Sequence, residues 1–180
     1  MNIANKFTIF RLVLIPVFIV LMIFLGIKSV IPGAVFVIAS LTDFIDGHLA
    51  RSRNLVTTFG KFLDPLADKM LVAAALIMLI ELKYVSAWTV CIVIAREFAI
   101  TGFRILAASN GITIAASYWG KFKTVSQFIA IILILFSGSI LSFVPMTITN
   151  IIYYISVVLT LISGIDYIIK NIQVLDLENI

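Results

Sequence analysis

Asp43 and Asp46, followed by Asp64 and Asp68, are the residues of this chain best suited to chemistry, because all four fall within or beside long apolar runs. A charge at the centre of a bilayer costs about 2.5–3.5 kcal/mol even on a lenient insertion scale, so four such acids require a compensating partner. Their spacing says how they are presented. Residues three or four apart share one face of an α-helix, so Asp43 and Asp46 form one pair and Asp64 and Asp68 another. Only a short connection at 51–59 separates the two segments, which predicts antiparallel neighbours whose adjoining ends bring all four acids together. Crowded carboxylates repel one another unless cations sit among them. With oxygen ligands alone and no His or Cys cluster at hand, a hard ion such as Mg²⁺ or Mn²⁺ suits the group better than Zn²⁺. The expected site is a metal site holding two ions.

Residues around the acids narrow the ligand. Gly47, four after Asp43, and Gly60, four before Asp64, remove side chains from the same helical faces, so a ligand can approach the backbone. Arg51 adds a planar cation suited to phosphate. Gly, Arg and paired Asp together point to a diphosphate held by metal. His48 follows Gly47 and is turned about 100° from it on the helix, which fits a structural role better than a ligand.

The elements that must position these groups are membrane helices. The 180 residues are 62% apolar and 12% charged, with a mean hydropathy of +1.20, against about 45–50% apolar and about 25% charged in soluble domains. Long apolar runs predict six spans at 9–27, 30–50, 60–81, 85–107, 118–139 and 146–170, in an all-α integral membrane domain covering 1–180. Lys6, Arg11, Arg51, Arg53, Lys61, Arg104, Lys121, Lys123 and Lys170 would lie on one side and Lys28 and Lys83 on the other, so both termini are expected in the cytosol, under the cytoplasmic membrane. The net charge of +4 sits in short segments between spans and speaks for anionic lipid and phosphate, not for nucleic acid. Asn2, Asn5, Thr8 and Arg11 recur every third residue among Ile3, Phe7 and Phe10, which predicts a short interfacial helix leading into the first span; a plain anchor with Lys6 and Arg11 snorkelling is the alternative. Cys91, inside an apolar run, reads as a small buried hydrophobe, Asp166 and Lys170 as a local ion pair, and Trp88 and Trp119 as interfacial anchors.

Residues 43–68 read D-x-x-D-G-x-x-A-R-x8-G-x3-D-x3-D, with Asp43, Asp46, Gly47, Ala50, Arg51, Gly60, Asp64 and Asp68 at the fixed positions. This segment resembles the signature of the CDP-alcohol phosphotransferases. The resemblance implies an enzyme that binds CDP-diacylglycerol in a cytosol-facing polar cavity, transfers its phosphatidyl group to an alcohol and releases CMP. It implies Asp43, Asp46 and Asp64 as metal ligands, and Asp68 as a general base that also touches metal. Asp46, Gly47, Arg51, Thr57 and Gly60, with Asn5 and Thr8, would line the CDP-lipid site. A homodimer is implied as well.

The signature is shared by enzymes acting on several alcohols, so the acceptor must be read elsewhere. Glu97, Thr101 and Arg104 share one face of the fourth span, and Lys121, Thr124 and Gln127 or Phe128 one face of the fifth. Arg104 and Lys121, with Lys123, bring cations to adjoining helix ends, which an acceptor carrying its own phosphate would need. Snorkelling cations are the plainer account, but Arg96 and Glu97 inside an apolar span fit it poorly. The segments R-E-F-A-I-T-G-F-R and G-K-F-K-T-V-S-Q, and the opening N-I-A-N-K-F-T-I-F-R, resemble bacterial members of the family that use glycerol 3-phosphate. Ala4 departs from them, standing where a proline is common. By that likeness Arg11, Arg104, Lys121 and Lys123 would hold the glycerol phosphate. Inositol phosphate or phosphatidylglycerol as acceptor stays open. A cation-coupled transporter would also carry intramembrane acids, but related halves are missing.

Overall fold

The computed structural model describes residues 3–52, 58–109, 111, 114 and 117–171, with their side chains except at 3–7, 43–52, 58–65, 68 and 109. Among the described residues all regular structure is helical: α1 (Ile3–Leu25), a 3₁₀ turn (Gly26–Lys28), α2 (Val30–Ser52), α3 (Thr58–Glu81), α4 (Ala87–Ser109), α5 (Tyr118–Phe136) and α6 (Met146–Lys170). Each expected span corresponds to one of these helices, with ends moved by a few residues. The amino-terminal pattern makes no element of its own, because the helix runs from Ile3 through Leu25 without a break. The chain forms two compact units, one from Met1–Val85 and Ile132–Pro145, the other from Ser86–Ile131 and Met146–Ile180.

In the first unit α1 packs on both α2 and α3, and α2 on α3. The buried face of α1 runs Thr8, Arg11, Ile15, Phe18 and Met22, the three-and-four alternation of a helix with one inward stripe. The return from α1 to α2 is tight for local reasons. Gly26 holds φ at +57°, a region costly for side chains with a Cβ, and Ser29 Oγ caps α2 by accepting from Ile31 N–H at 3.2 Å. Two glycines permit close approach in this unit: a Cβ on Gly33 would stand 2.7 Å from the Phe136 ring, and one on Gly138 2.8 Å from the Ile27 carbonyl oxygen. α3 ends in a Schellman motif, with Tyr84 N–H donating to Leu79 O at 2.9 Å and Lys83 N–H to Ile80 O at 2.8 Å. Lys83 occupies the left-handed position at φ 60°, where glycine is usual.

In the second unit α4 packs on α6. The buried stripe of α6 is its polar one: Thr149, Tyr153, Ser156, Thr160, Ser163 and Tyr167 face inward, while Ile151, Ile155, Ile162, Ile165 and Ile169 face out. Water would select the opposite arrangement; hydrocarbon selects this one, because small hydroxyl side chains pack closely and bond to helix carbonyls. Ser156, Thr160 and Ser163 donate to the carbonyls of Tyr153, Ser156 and Thr160 at 2.7, 2.7 and 3.0 Å. Among the described residues Thr8–Lys28, Tyr118–Phe136 and Met146–Lys170 are long and apolar enough to cross a membrane. Cys91 corrects the sequence reading: it is exposed on α4 instead of buried, because it falls on the same outward helical face as the exposed Trp88, three residues before it.

Candidate active site

Asp43 and Asp46 lie on the continuous helix α2, and Asp64 and Asp68 on α3, so the helical periodicity that pairs them is present in the backbone. α2 ends at Ser52 and α3 begins at Thr58, and the two helices pack on one another, so both acid pairs fall toward adjoining ends. The side chains of all four aspartates, and those of Asn5, His48 and Arg51, lie outside the described residues, as does Thr57 altogether; Gly47 and Gly60 are helical positions in α2 and α3. Among the described residues no group of three or more His, Cys, Asp or Glu assembles. An oxygen-only donor set, paired at helical spacing on two packed helices, fits a hard divalent ion.

α1 supplies the described part of this region. Phe18 and Phe36 pack with ring centroids 5.9 Å apart and set the antiparallel register of α1 against α2. Counted along the chain away from the turn, Arg11 and position 43 each lie seven residues beyond these phenylalanines, and Thr8 and position 46 each lie ten. Thr8 is 1% exposed and Arg11 0%. An arginine enclosed this completely within an apolar unit is unusual unless anions share its surroundings.

The cations of the second unit are held in three different ways. Arg104 donates Nε–H to the Tyr167 hydroxyl at 3.2 Å and lies 5.6 Å from the centroid of that ring. Lys121 is exposed, with Nζ 5.4 Å from the centroid of the Tyr118 ring. Lys123 is buried, its Nζ paired with Glu97 Oε1, and Arg96 Nη1 donates to the same oxygen at 3.1 Å. Arg11 belongs to the first unit and Arg104, Lys121 and Lys123 to the second. The Glu97–Lys123 pair escapes sequence reading, since 26 residues separate its members. Its one signal is Glu97 itself, a charge in an apolar span with no partner of its own one turn away. The expected pair of Asp166 and Lys170 is present, with Oδ1 and Nζ 2.6 Å apart.

A model of the CDP-alcohol phosphatidyltransferase family matches residues 1–162. Among similar proteins, a CDP-diacylglycerol–glycerol-3-phosphate 3-phosphatidyltransferase of Bacillus subtilis (strain 168) is 41% identical, covering 99% of both chains. A protein of the same name from Rickettsia bellii (strain RML369-C) is 39% identical over 92% of this chain and 93% of its own. A probable phosphatidylglycerophosphate synthase of Mycobacterium tuberculosis (strain ATCC 25618 / H37Rv) is 35% identical over 96% of this chain and 82% of its own.

Proposed function

This chain belongs to the CDP-alcohol phosphatidyltransferase family, and on that premise we propose that it transfers the phosphatidyl group of CDP-diacylglycerol to glycerol 3-phosphate, giving phosphatidylglycerophosphate and CMP. The observation that carries the reading is the packing of two helices that each bear a pair of aspartates at helical spacing. The choice of acceptor is supported by the names of relatives alike over nearly the whole chain.

Asp43, Asp46 and Asp64, joined by Asp68, would hold two divalent ions, Mg²⁺ or Mn²⁺. When bound, such ions neutralise the diphosphate and the charge that develops on departing CMP. Asp46, Gly47, Arg51, Thr57 and Gly60, with Asn5 and Thr8, receive the CDP moiety. Asp68 takes the proton of the acceptor hydroxyl as its oxygen bonds to the lipid-linked phosphorus, and the bond from that phosphorus to CMP breaks. Arg11, Arg104, Lys121 and Lys123 are assigned to the acceptor phosphate. All six helices span the cytoplasmic membrane, both termini and the polar cavity face the cytosol, and the enzyme is a homodimer.

The test is an acceptor screen on purified protein in detergent with Mg²⁺ or Mn²⁺. CMP should leave CDP-diacylglycerol only when glycerol 3-phosphate is supplied. Release with inositol phosphate or phosphatidylglycerol in its place would move the assignment within the family.

A further inference from the structure

Among the described residues α4 and α6 are joined by side-chain hydrogen bonds near both ends, and each bond uses a tyrosine of α6. Tyr153 shares a bond of 2.7 Å with the Thr89 hydroxyl. Tyr167, fourteen residues further along the same buried stripe, accepts from Arg104 Nε–H at 3.2 Å. The partners lie 64 and 63 positions apart, so both bonds belong to one parallel register of the two helices.

The first bond is explained by packing alone, since two buried hydroxyls in an apolar unit satisfy each other. The second joins unlike surroundings: Tyr167 is 2% exposed, whereas Arg104 is exposed. An exposed arginine needs no protein partner and loses rotamer freedom by taking one. Tyr167 nevertheless meets it twice, through its hydroxyl and through its ring, whose centroid lies 5.6 Å from Arg104 Cζ. The ring is itself held in place. Phe103 stands edge-on to it with centroids 5.8 Å apart, and Asn171 Nδ2 donates to the Tyr167 carbonyl at 2.7 Å. A buried, fixed aromatic thus forms the plate against which an exposed guanidinium is laid.

Guanidinium chemistry gives this arrangement a use. With Nε–H on the hydroxyl, the pair of parallel bonds that an arginine makes to a phosphate falls to the Nη1–Nη2 edge, and Tyr167 sets the direction of that edge. Order imposed before binding is order that a ligand need not impose. The family match ends at residue 162, five short of Tyr167, so this contact lies beyond the segment that defines the family.

We propose that Tyr167 is a positioning residue for the acceptor step, holding the Arg104 guanidinium in the orientation that receives the acceptor. Tyr167 acts through Arg104 and touches no substrate. The proposal rests on the assignment of Arg104 to the acceptor phosphate made above; what it adds is the tyrosine of α6.

The experiment compares Tyr167→Phe with Tyr153→Phe, each of which takes one hydroxyl from the same seam, in steady-state kinetics of the full chain in detergent. Tyr167→Phe should raise the KM for glycerol 3-phosphate about two- to tenfold, the scale of one hydrogen bond, and leave the KM for CDP-diacylglycerol in place. Tyr153→Phe should leave both KM values in place. Arg104→Lys should raise the acceptor KM about tenfold or more, and adding Tyr167→Phe to it should raise it no further, because the group that the hydroxyl orients is gone. An unchanged acceptor KM in Tyr167→Phe would overturn the proposal. So would an equal rise in Tyr153→Phe, or a full further rise on top of Arg104→Lys, since either marks a tyrosine that only packs. Arg104→Lys with an unchanged acceptor KM would remove the assignment of Arg104 and the proposal together. If the wild type releases CMP with another phosphate-bearing acceptor instead, the functional reading fails separately, and the same variants measured on that acceptor decide the proposal.

Discussion

α2 and α3 each carry a pair of aspartates at helical spacing, whereas α4 and α5 bring Glu97 and Lys123 together from positions 26 apart in the chain. In the first pair the spacing that matters lies within each helix, three residues in one and four in the other. The divalent ions and diphosphate proposed above would supply the counter-charge to such a group. In the second pair Glu97 bridges Arg96 and Lys123 across two helices, so part of the charge is matched by the fold itself. Charge proposed to meet a ligand and charge matched in packing therefore differ in where the counter-charge comes from.

The sharpest way to test that contrast is to remove the proposed base. Asp68→Asn should lower CMP release by about 10²–10⁴-fold while CDP-diacylglycerol binding persists; near-normal turnover would reject the base assignment. Stability should respond in the opposite region. Lys123→Ala takes one member from a buried pair, so its thermal unfolding in detergent should show a loss near the lower end of about 3–5 kcal/mol, since Arg96 still faces Glu97. Lys121→Ala, two residues away but exposed, should stay within about 0.5 kcal/mol. Equal losses in the two lysine variants would erase the distinction between packed and presented charge.

Smaller effects probe the frame that holds the acid-bearing helices. Gly33→Ala places a Cβ 2.7 Å from the Phe136 ring, so unfolding measurements should show a loss of about 1–3 kcal/mol from overpacking. Lys83→Gly should instead raise stability by up to about 1 kcal/mol, because Lys83 holds a left-handed conformation that glycine adopts without steric cost. A destabilised Lys83→Gly would mean that the lysine side chain contributes something beyond the turn.

Much of the architecture was legible in the chain because the signals are local. Runs of apolar residues of helical length are read from composition alone, so the six helices emerged close to where 9–27, 30–50, 60–81, 85–107, 118–139 and 146–170 placed them. Their ends were less legible, since α1 extends to Ile3 through residues whose polar pattern suggested a separate element. Asp166 and Lys170 were readable as a pair for the same reason as the acids, one helical turn of separation. Cys91 was misread because apolar character implies burial only where the surroundings are water.

What the amino-acid sequence determined unaided is the membrane-helical character, the pairing of acids within α2 and within α3, and the family signature across 43–68. Each is a matter of composition or of neighbours one helical turn apart. Only the tertiary structure decided that Arg11 is enclosed, that Arg104 lies against Tyr167, and that Lys123 and Arg96 divide one carboxylate between them. The reason is distance along the chain: a cation in an apolar helix must find an anion or an aromatic face somewhere, and which one it finds depends on how helices far apart in sequence are laid side by side.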